Sequence, residues 1–174
     1  MDIEGIGFAE AIRHLAKKYA IEVEEEETQT PAQQQEQSER ESLFIALNFA
    51  KDFFHSTMLN SNQGKAIGLS YFKERGFRDE TIKKFDLGYC LDEWDHFTNA
   101  AISKGYQLKY LESTGLTIVK DNKQFDRFKG RVMFPIQSMS GRILGFGGRI
   151  LTNDKKAAKY VNSPESEIYH KSKV

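Results

Sequence analysis

Two short apolar segments on either side of a glycine-containing turn constrain the fold of this 174-residue chain more than any other feature. Residues 132–136 read VMFPI, residues 143–146 read ILGF, and the segment between them contains Gly141. Two runs of strand-forming residues joined by a short turn predict a β-hairpin. We therefore expect a sheet in the second half of the chain.

Basic residues surround this predicted hairpin. Arg127, Lys129 and Arg131 come just before its first strand, and if that run is extended, their side chains share one face. Further cations lie on or beyond the return strand, namely Arg142, Arg149 and Lys159. A sheet edged by fixed cations is typical of a phosphate-binding surface, but a charged edge strand that resists aggregation has the same pattern.

The net charge of zero conceals an uneven distribution along the chain. Residues 1–119 contain 13 Lys and Arg against 20 Asp and Glu, whereas residues 120–174 contain 12 against 5, so the two parts carry −7 and +7. A basic carboxyl-terminal third favours a polyanionic partner. A chance clustering of charges on solvated faces is the alternative explanation.

Helical patterns dominate the first half of the chain. Residues 1–20 place apolar side chains at helical spacing, residues 24–37 are rich in Glu and Gln and predict a flexible linker, and a long helix is expected from about Ser38. A further short helix is expected to be capped by Asp79. Because helices precede strands, we predict an α+β fold in which N-terminal helices are followed by a mixed or antiparallel sheet with a basic face.

The return strand of the hairpin carries three glycines, Gly145, Gly147 and Gly148, before Arg149. They do not open a helix, so they are not the G-x-G-x-x-G loop of a dinucleotide-binding unit. The glycines form either a kink that lets a ligand approach the sheet or a bulge without a ligand. Asn162 could donate to phosphate or sugar oxygens, or belong to an ordinary turn.

Few residues of the chain indicate a disulfide, a metal site or a catalytic group. The single cysteine, Cys90, excludes an internal disulfide and a cysteine-based zinc site within the chain, and it favours a reducing compartment. Asp92, Glu93 and Asp95 surround Trp94, and a solvated helix start explains these carboxylates better than a divalent ion does. No apolar run approaches the ~20 residues that span a membrane.

Six sequence blocks together resemble bacterial DnaG-type DNA primases. The sequence YFKERGF at residues 71–77 is similar to the family motif Y-L-x-x-R-G-(L/I). Residues 126–136, DRFKGRVMFPI, resemble D-R-F-R-x-R-(V/I)-M-F-P-I almost letter for letter. Residues 8–12, FAEAI, and 81–89, TIKKFDLGY, are similar to two other family segments, and residues 141–149, GRILGFGGR, are similar to a fifth block. The sixth block is at residues 159–165, KYVNSPE, and continues at 169–172, YHKS. The blocks follow the family's order and cover nearly the whole chain.

The resemblance implies that residues 38–174 form the N-terminal subdomain of the primase RNA polymerase core and that residues 1–23 form the helix that follows a zinc-binding domain. In this family the subdomain holds template and hybrid in a basic groove. The matching positions here are Arg75, Lys129, Arg131, Arg149, Lys159, Asn162 and Lys171. Secondary candidates are Arg127 and Arg142. Lys129 stands where the family usually has Arg, which weakens the expectation of a bidentate contact there.

The implied activity of the full-length enzyme is the synthesis of RNA primers on a DNA template, with magnesium bound by a TOPRIM subdomain and zinc by the zinc-binding domain. This chain alone is expected to contain no catalytic residue, metal or cofactor and to be inactive. The implied partners are single-stranded DNA, an RNA–DNA hybrid, the replicative helicase and single-strand-binding protein, in the cytoplasm at the replication fork and away from membranes. The alternative is a protein-interaction module that docks the zinc-binding domain or the helicase.

Overall fold

The computed structural model describes residues 30–173, so the helix expected at residues 1–20 lies outside the described residues. A long helix, α1, spans Pro31–Asn60. It begins earlier than Ser38, which corrects the end of the linker expected at residues 24–37. Proline occupies the first turn, and the preceding residues form a reciprocal cap in which the Thr30 N–H donates to Gln33 Oε1 at 2.8 Å and the Gln33 N–H donates to Thr30 Oγ1 at 3.4 Å.

The unit Glu36–Val174 contains the sheet and the remaining helices. Their bounds are Gly64–Leu69 for a π-helical segment, Ser70–Glu74 for α2, Asp79–Lys84 for α3, His96–Ser103 for α4, Leu108–Ser113 for α5 and Lys171–Lys173 for a 3₁₀ turn. The π-helical segment leads directly into α2. Gly76, at φ +80°, ends this helical stretch because the left-handed conformation costs glycine no side-chain strain.

Helix α3 does not use the cap expected from the sequence. Arg78 is the extended residue at its N-cap, and Asp79 is the first residue of the helix. The Asp79 carboxylate pairs with Lys73 of α2 instead of accepting from the helix amides. An acidic residue in the first turn still favours the helix through the dipole, without the predicted capping bond.

Strands of the described residues form two antiparallel sheets. Their bounds are Gly88–Cys90 for β1, Thr117–Lys120 for β2, Lys123–Asp126 for β3, Arg131–Gln137 for β4, Ile143–Ile150 for β5 and Tyr160–Asn162 for β6. The main sheet has the order β1-β4-β5-β6, and β2 pairs with β3. Strands β4 and β5 are the predicted hairpin, so the expected α+β fold with an antiparallel sheet after the helices is confirmed.

The run that contains Arg127, Lys129 and Arg131 is not extended, which corrects the expectation of one shared cationic face. Strand β3 ends at Asp126, a turn follows, and β4 begins at Arg131. Gly130, at φ +68°, makes the reversal, and its N–H donates to the carbonyl of Cys90 at 3.1 Å. The three basic side chains therefore leave the backbone in different directions.

Two apolar clusters hold the sheet between helices. One joins the buried stripe of α1, including Leu47 and Phe54, to Phe146 of β5. The other joins Phe72 of α2 to Val132 of β4. Burying a Leu or Phe side chain contributes about 1.5–3 kcal/mol, so these contacts dominate the packing of both faces. Helix α2, which carries Arg75 at its end, is thereby fixed beside the sheet.

Candidate nucleic-acid interface

One face of the main sheet gathers several of the predicted binding residues. Arg149 lies opposite Val132 on β4 and opposite Tyr160 on β6, and Gly147 lies opposite Asn162. Directly opposed residues of an antiparallel pair share a face. Arg149, Tyr160 and Asn162 therefore lie on the same side of the sheet, and the lack of a side chain at Gly147 keeps the surface between them low.

Arg75 and Arg149 meet at one tyrosine ring. The Arg75 Cζ lies 4.0 Å from the centroid of Tyr71, and the Arg149 Cζ lies 5.0 Å from the same centroid. Tyr71 and Arg75 come together because residues four apart on a helix are neighbours. The Arg149 Nε is buried and has no hydrogen-bond partner among the described residues. Two guanidinium groups at one ring make this part of the surface positive, which favours an anionic ligand.

These side chains line a cleft of about 850 Å³ between α2 and the segment that follows β5. Its charged lining consists of Arg75, Arg149, Lys155 and Lys159, with Glu74 and Asp154. Cations thus outnumber carboxylates. The sequence predicted Arg75, Arg149 and Lys159 for this place. It missed Tyr71, although its spacing from Arg75 is a detectable signal, and Lys155, which lies in a Lys-rich loop.

Arg131 differs from the other predicted cations because it is 6% exposed. It lies opposite Cys90 and Ile150, on the sheet face that Arg149 does not share. Its Nη1 donates to the carbonyls of Lys159 at 3.3 Å and Gly148 at 3.5 Å. Burial lowers the pKa of Arg131 from its ordinary value. The guanidinium of Arg131 therefore supports the backbone at Lys159 instead of facing the cleft.

A second exposed surface contains Trp94. The sequence indicated no role for this residue apart from the acidic residues around it. Trp94 is 54% exposed, and its ring centroid lies 4.7 Å from that of Phe125. The Lys129 Nζ lies 5.7 Å from the Trp94 ring and 3.7 Å from Asp92 Oδ1. Lys129 is thus exposed beside an aromatic surface, but part of its charge is offset by a carboxylate.

The remaining predicted nucleic-acid-binding residues, Arg127, Arg142 and Lys171, do not line the cleft. Arg127 is half-buried, burial lowers its pKa, and its Nε would lie 3.3 Å from a Cβ at Gly115. The same Cβ would lie 2.0 Å from Pro164 Cδ, so Gly115 and Pro164 are in close contact. Arg142 pairs with Glu41 of α1 at 3.3 Å and lies over the Phe44 ring. Lys171 is exposed in the 3₁₀ turn.

Two other kinds of site are absent from the described part of the chain. Residues 30–173 hold no group of three or more His, Cys, Asp or Glu side chains that could bind a metal ion. In the same part of the chain, no helix is long and apolar enough to cross a membrane. A basic, partly aromatic cleft beside an antiparallel sheet is therefore the candidate site that defines this α+β domain.

Comparison with known proteins assigns the chain to a family. Residues 53–174 match the model of the DNA primase catalytic core, N-terminal domain. The chain belongs to this family. It is 40% identical over 175 residues to the DNA primase of Halalkalibacterium halodurans, a match that covers 99% of the chain and 28% of that protein. The chain thus spans less than a third of the length of this relative.

Solved structures show the same fold. The RNA polymerase domain of Mycobacterium tuberculosis primase DnaG matches with a TM-score of 0.71 and 35% identity, over 76% of this chain and 43% of that one. A DnaG primase catalytic domain bound to single-stranded DNA matches with a TM-score of 0.69 and 32% identity, over 76% and 42%. The zinc-binding and RNA polymerase domains of Aquifex aeolicus primase match with a TM-score of 0.65 and 29% identity, over 95% and 38%.

Proposed function

We propose that this domain holds single-stranded DNA template, and the RNA–DNA hybrid formed on it, in the cleft between α2 and β5. The observation that carries the proposal is the pair of guanidinium groups, Arg75 and Arg149, on the ring of Tyr71. An open cleft in which cations outnumber carboxylates suits a strand of phosphates, and the exposed ring of Tyr160, opposite Arg149 on the same sheet face, suits bases.

The residues take different parts in this proposal. Arg75, Arg149 and Lys159 contact phosphates in the cleft, and Asn162 donates to phosphate or sugar oxygens from the same sheet face as Arg149. Lys129 contacts the strand beside Trp94, on which a base stacks. Arg131 acts through the backbone at Lys159, and Lys171 and Arg127 are outer contacts. Arg142 contributes least, because Glu41 and Phe44 already engage its guanidinium.

We also propose the place of the domain in a longer enzyme. The full-length primase would join ribonucleotides on a DNA template with two metal ions held by its TOPRIM subdomain. The resemblance to the Aquifex aeolicus structure, which has a zinc-binding domain, supports a zinc-dependent partner domain before residues 1–23. The subdomain at residues 38–174 would contribute template binding and no catalytic group. Replicative helicase and single-strand-binding protein are the expected partners at the replication fork.

The salt dependence of single-stranded DNA binding tests this function. In the variant R75A/R149A, the slope of log affinity against log salt should decrease by about 1.4, because each phosphate contact on a single strand contributes about 0.7. The matched control R40A/K120A removes the same charge from two exposed residues that do not line the cleft. The proposal fails if the two variants show equal slopes.

A further inference from the structure

The buried carboxylate of Asp126 connects the elements around Trp94. Asp126 is the last residue of β3 and is 4% exposed. Its Oδ2 accepts a hydrogen bond from the Phe97 N–H at 2.8 Å, and its Oδ1 accepts one from the Thr98 N–H at 2.9 Å. Both amides belong to the first turn of α4, where helices leave N–H groups without partners. Strand β3 therefore supplies the N-terminal cap of a helix that is distant in sequence.

A hydroxyl pair extends this network to β2. The Thr98 Oγ1 donates to Asp126 Oδ1 at 2.7 Å and lies 2.8 Å from Thr117 Oγ1. A hydroxyl has one proton, so with Thr98 donating to the carboxylate, Thr117 donates to Thr98. All three residues are buried. Burial raises the pKa of Asp126, while its hydrogen bonds oppose that rise. The carboxylate is thus fully engaged inside the protein.

The backbone of Asp126 also holds the exposed surface directly. Its N–H donates to the Trp94 carbonyl at 2.9 Å. The preceding residue, Phe125, packs its ring on the indole at 4.7 Å between centroids. Lys129, in the turn that begins after Asp126, places its Nζ 5.7 Å from the same indole. The Trp94 indole, the Phe125 ring that packs on it and the Lys129 ammonium group are therefore all held next to Asp126.

We propose that Asp126 is a positioning residue for the template interface. By fixing the first turn of α4 to the end of β3, it holds Trp94 and Lys129 where a base can stack on the indole beside the ammonium group. The ligand in this inference, single-stranded nucleic acid, rests on the proposed function. Asp126 does not touch the strand, and its effect on affinity comes from a surface that is ordered before binding.

The fluorescence of Trp94, the single tryptophan of the chain, provides the test. The full chain is compared with D126N, which removes the charge at nearly constant volume, and with T98V, which removes the hydroxyl that donates to Asp126 and accepts from Thr117. Both variants should make Trp94 more accessible to acrylamide without DNA and weaken oligo-dT binding about tenfold, within the range of about 5–150-fold expected for one base stack.

Control variants separate positioning from loss of stability. T114V removes a buried hydroxyl, just after the last residue of α5, that donates to the Tyr110 carbonyl at 2.7 Å. It should melt at a lower temperature and leave quenching and affinity unchanged. In a W94F background, with affinity read from labelled DNA, D126N should lower affinity by less than about twofold, because coupled residues are not additive.

Two results would overturn the inference. One is unchanged quenching and affinity in both D126N and T98V. The other is a D126N effect of the same size in the W94F background. If the unmodified chain does not bind oligo-dT, the proposed function fails, whereas the quenching measured without DNA still decides whether Asp126 positions Trp94.

Discussion

Arg149 and Arg131 lie on paired strands, one register position apart, but their guanidinium groups lie on opposite faces of the sheet. Arg149 packs on Tyr71 and faces the cleft. Arg131 lies on the other face of the sheet, buried, and donates to main-chain carbonyls. A motif therefore places a positive charge in the sequence, but the face of the strand decides whether that charge lines the cleft or bonds to the protein's own backbone.

Removing each guanidinium in turn should reveal the largest difference between Arg131 and Arg149. R131A should lower the free energy of unfolding by about 2–4 kcal/mol, because two carbonyls lose a charged donor and a buried side chain leaves a cavity. R149A should lower that free energy by about 1 kcal/mol or less, because this half-buried side chain loses its contacts with the rings of Tyr71 and Tyr160. Urea denaturation measures both. Equal losses would show that the distinction between the two arginines is wrong.

Adjacent glycines on β5 offer a second comparison of the two sheet faces. A Cβ at Gly148 would lie 2.7 Å from Phe128 Cδ1 and 3.1 Å from Arg131 Cδ, whereas a Cβ at Gly147 would meet only the Asn162 Oδ1, at 3.2 Å. G148A should therefore destabilise by about 1–3 kcal/mol through overpacking. In G147A the Asn162 side chain can move, so thermal melting should detect a smaller loss. The reverse order would contradict the assignment of faces.

Lys129 is intermediate between a cation that faces the cleft, such as Arg149, and one that bonds within the protein, such as Arg131, because it is exposed but paired with Asp92. D92N should release the ammonium group and strengthen single-stranded DNA binding about two- to fivefold, the equivalent of an exposed pair worth about 0.5–1 kcal/mol. Fluorescence anisotropy at low salt measures the change. E93Q, which neutralises the next residue, serves as the control. Weaker binding by D92N would mean that the carboxylate helps to orient Lys129.

The smallest effect is expected at Arg142, the cation that pairs with Glu41 on α1. R142A should leave the affinity for single-stranded DNA within about twofold, because the guanidinium does not line the cleft and an exposed pair contributes little. The same anisotropy titration checks this. A loss as large as that of R149A would extend the interface to the hairpin turn and to α1.

The parts of the fold that depend on local pattern could be predicted from the sequence. The hairpin of β4 and β5 follows from two apolar runs and a turn, and the buried stripe of α1 follows from helical spacing. The start of α1 was missed because residues 31–37 have almost no apolar side chain. Thr30, Pro31 and Gln33 carry the capping signal that could have identified it.

The candidate site was harder to predict because its geometry depends on contacts between distant residues. The sequence supplied Arg75, Arg149 and Lys159, which the cleft brings together. It could not show that Arg131 is buried, because its partners at Gly148 and Lys159 become neighbours only through sheet pairing. The turn at Gly130 likewise depends on a bond to Cys90.

The contact between Gly115 and Pro164 has a consequence for how these positions can vary among relatives. A Cβ at Gly115 would overlap the proline ring at 2.0 Å, and its φ of +71° already disfavours other residues. Gly115 should therefore remain glycine among relatives whatever residue stands at position 164, because the backbone alone already requires it. Pro164 packs against that glycine, so the proline of the N-S-P-E segment has a packing role that does not depend on contact with nucleic acid.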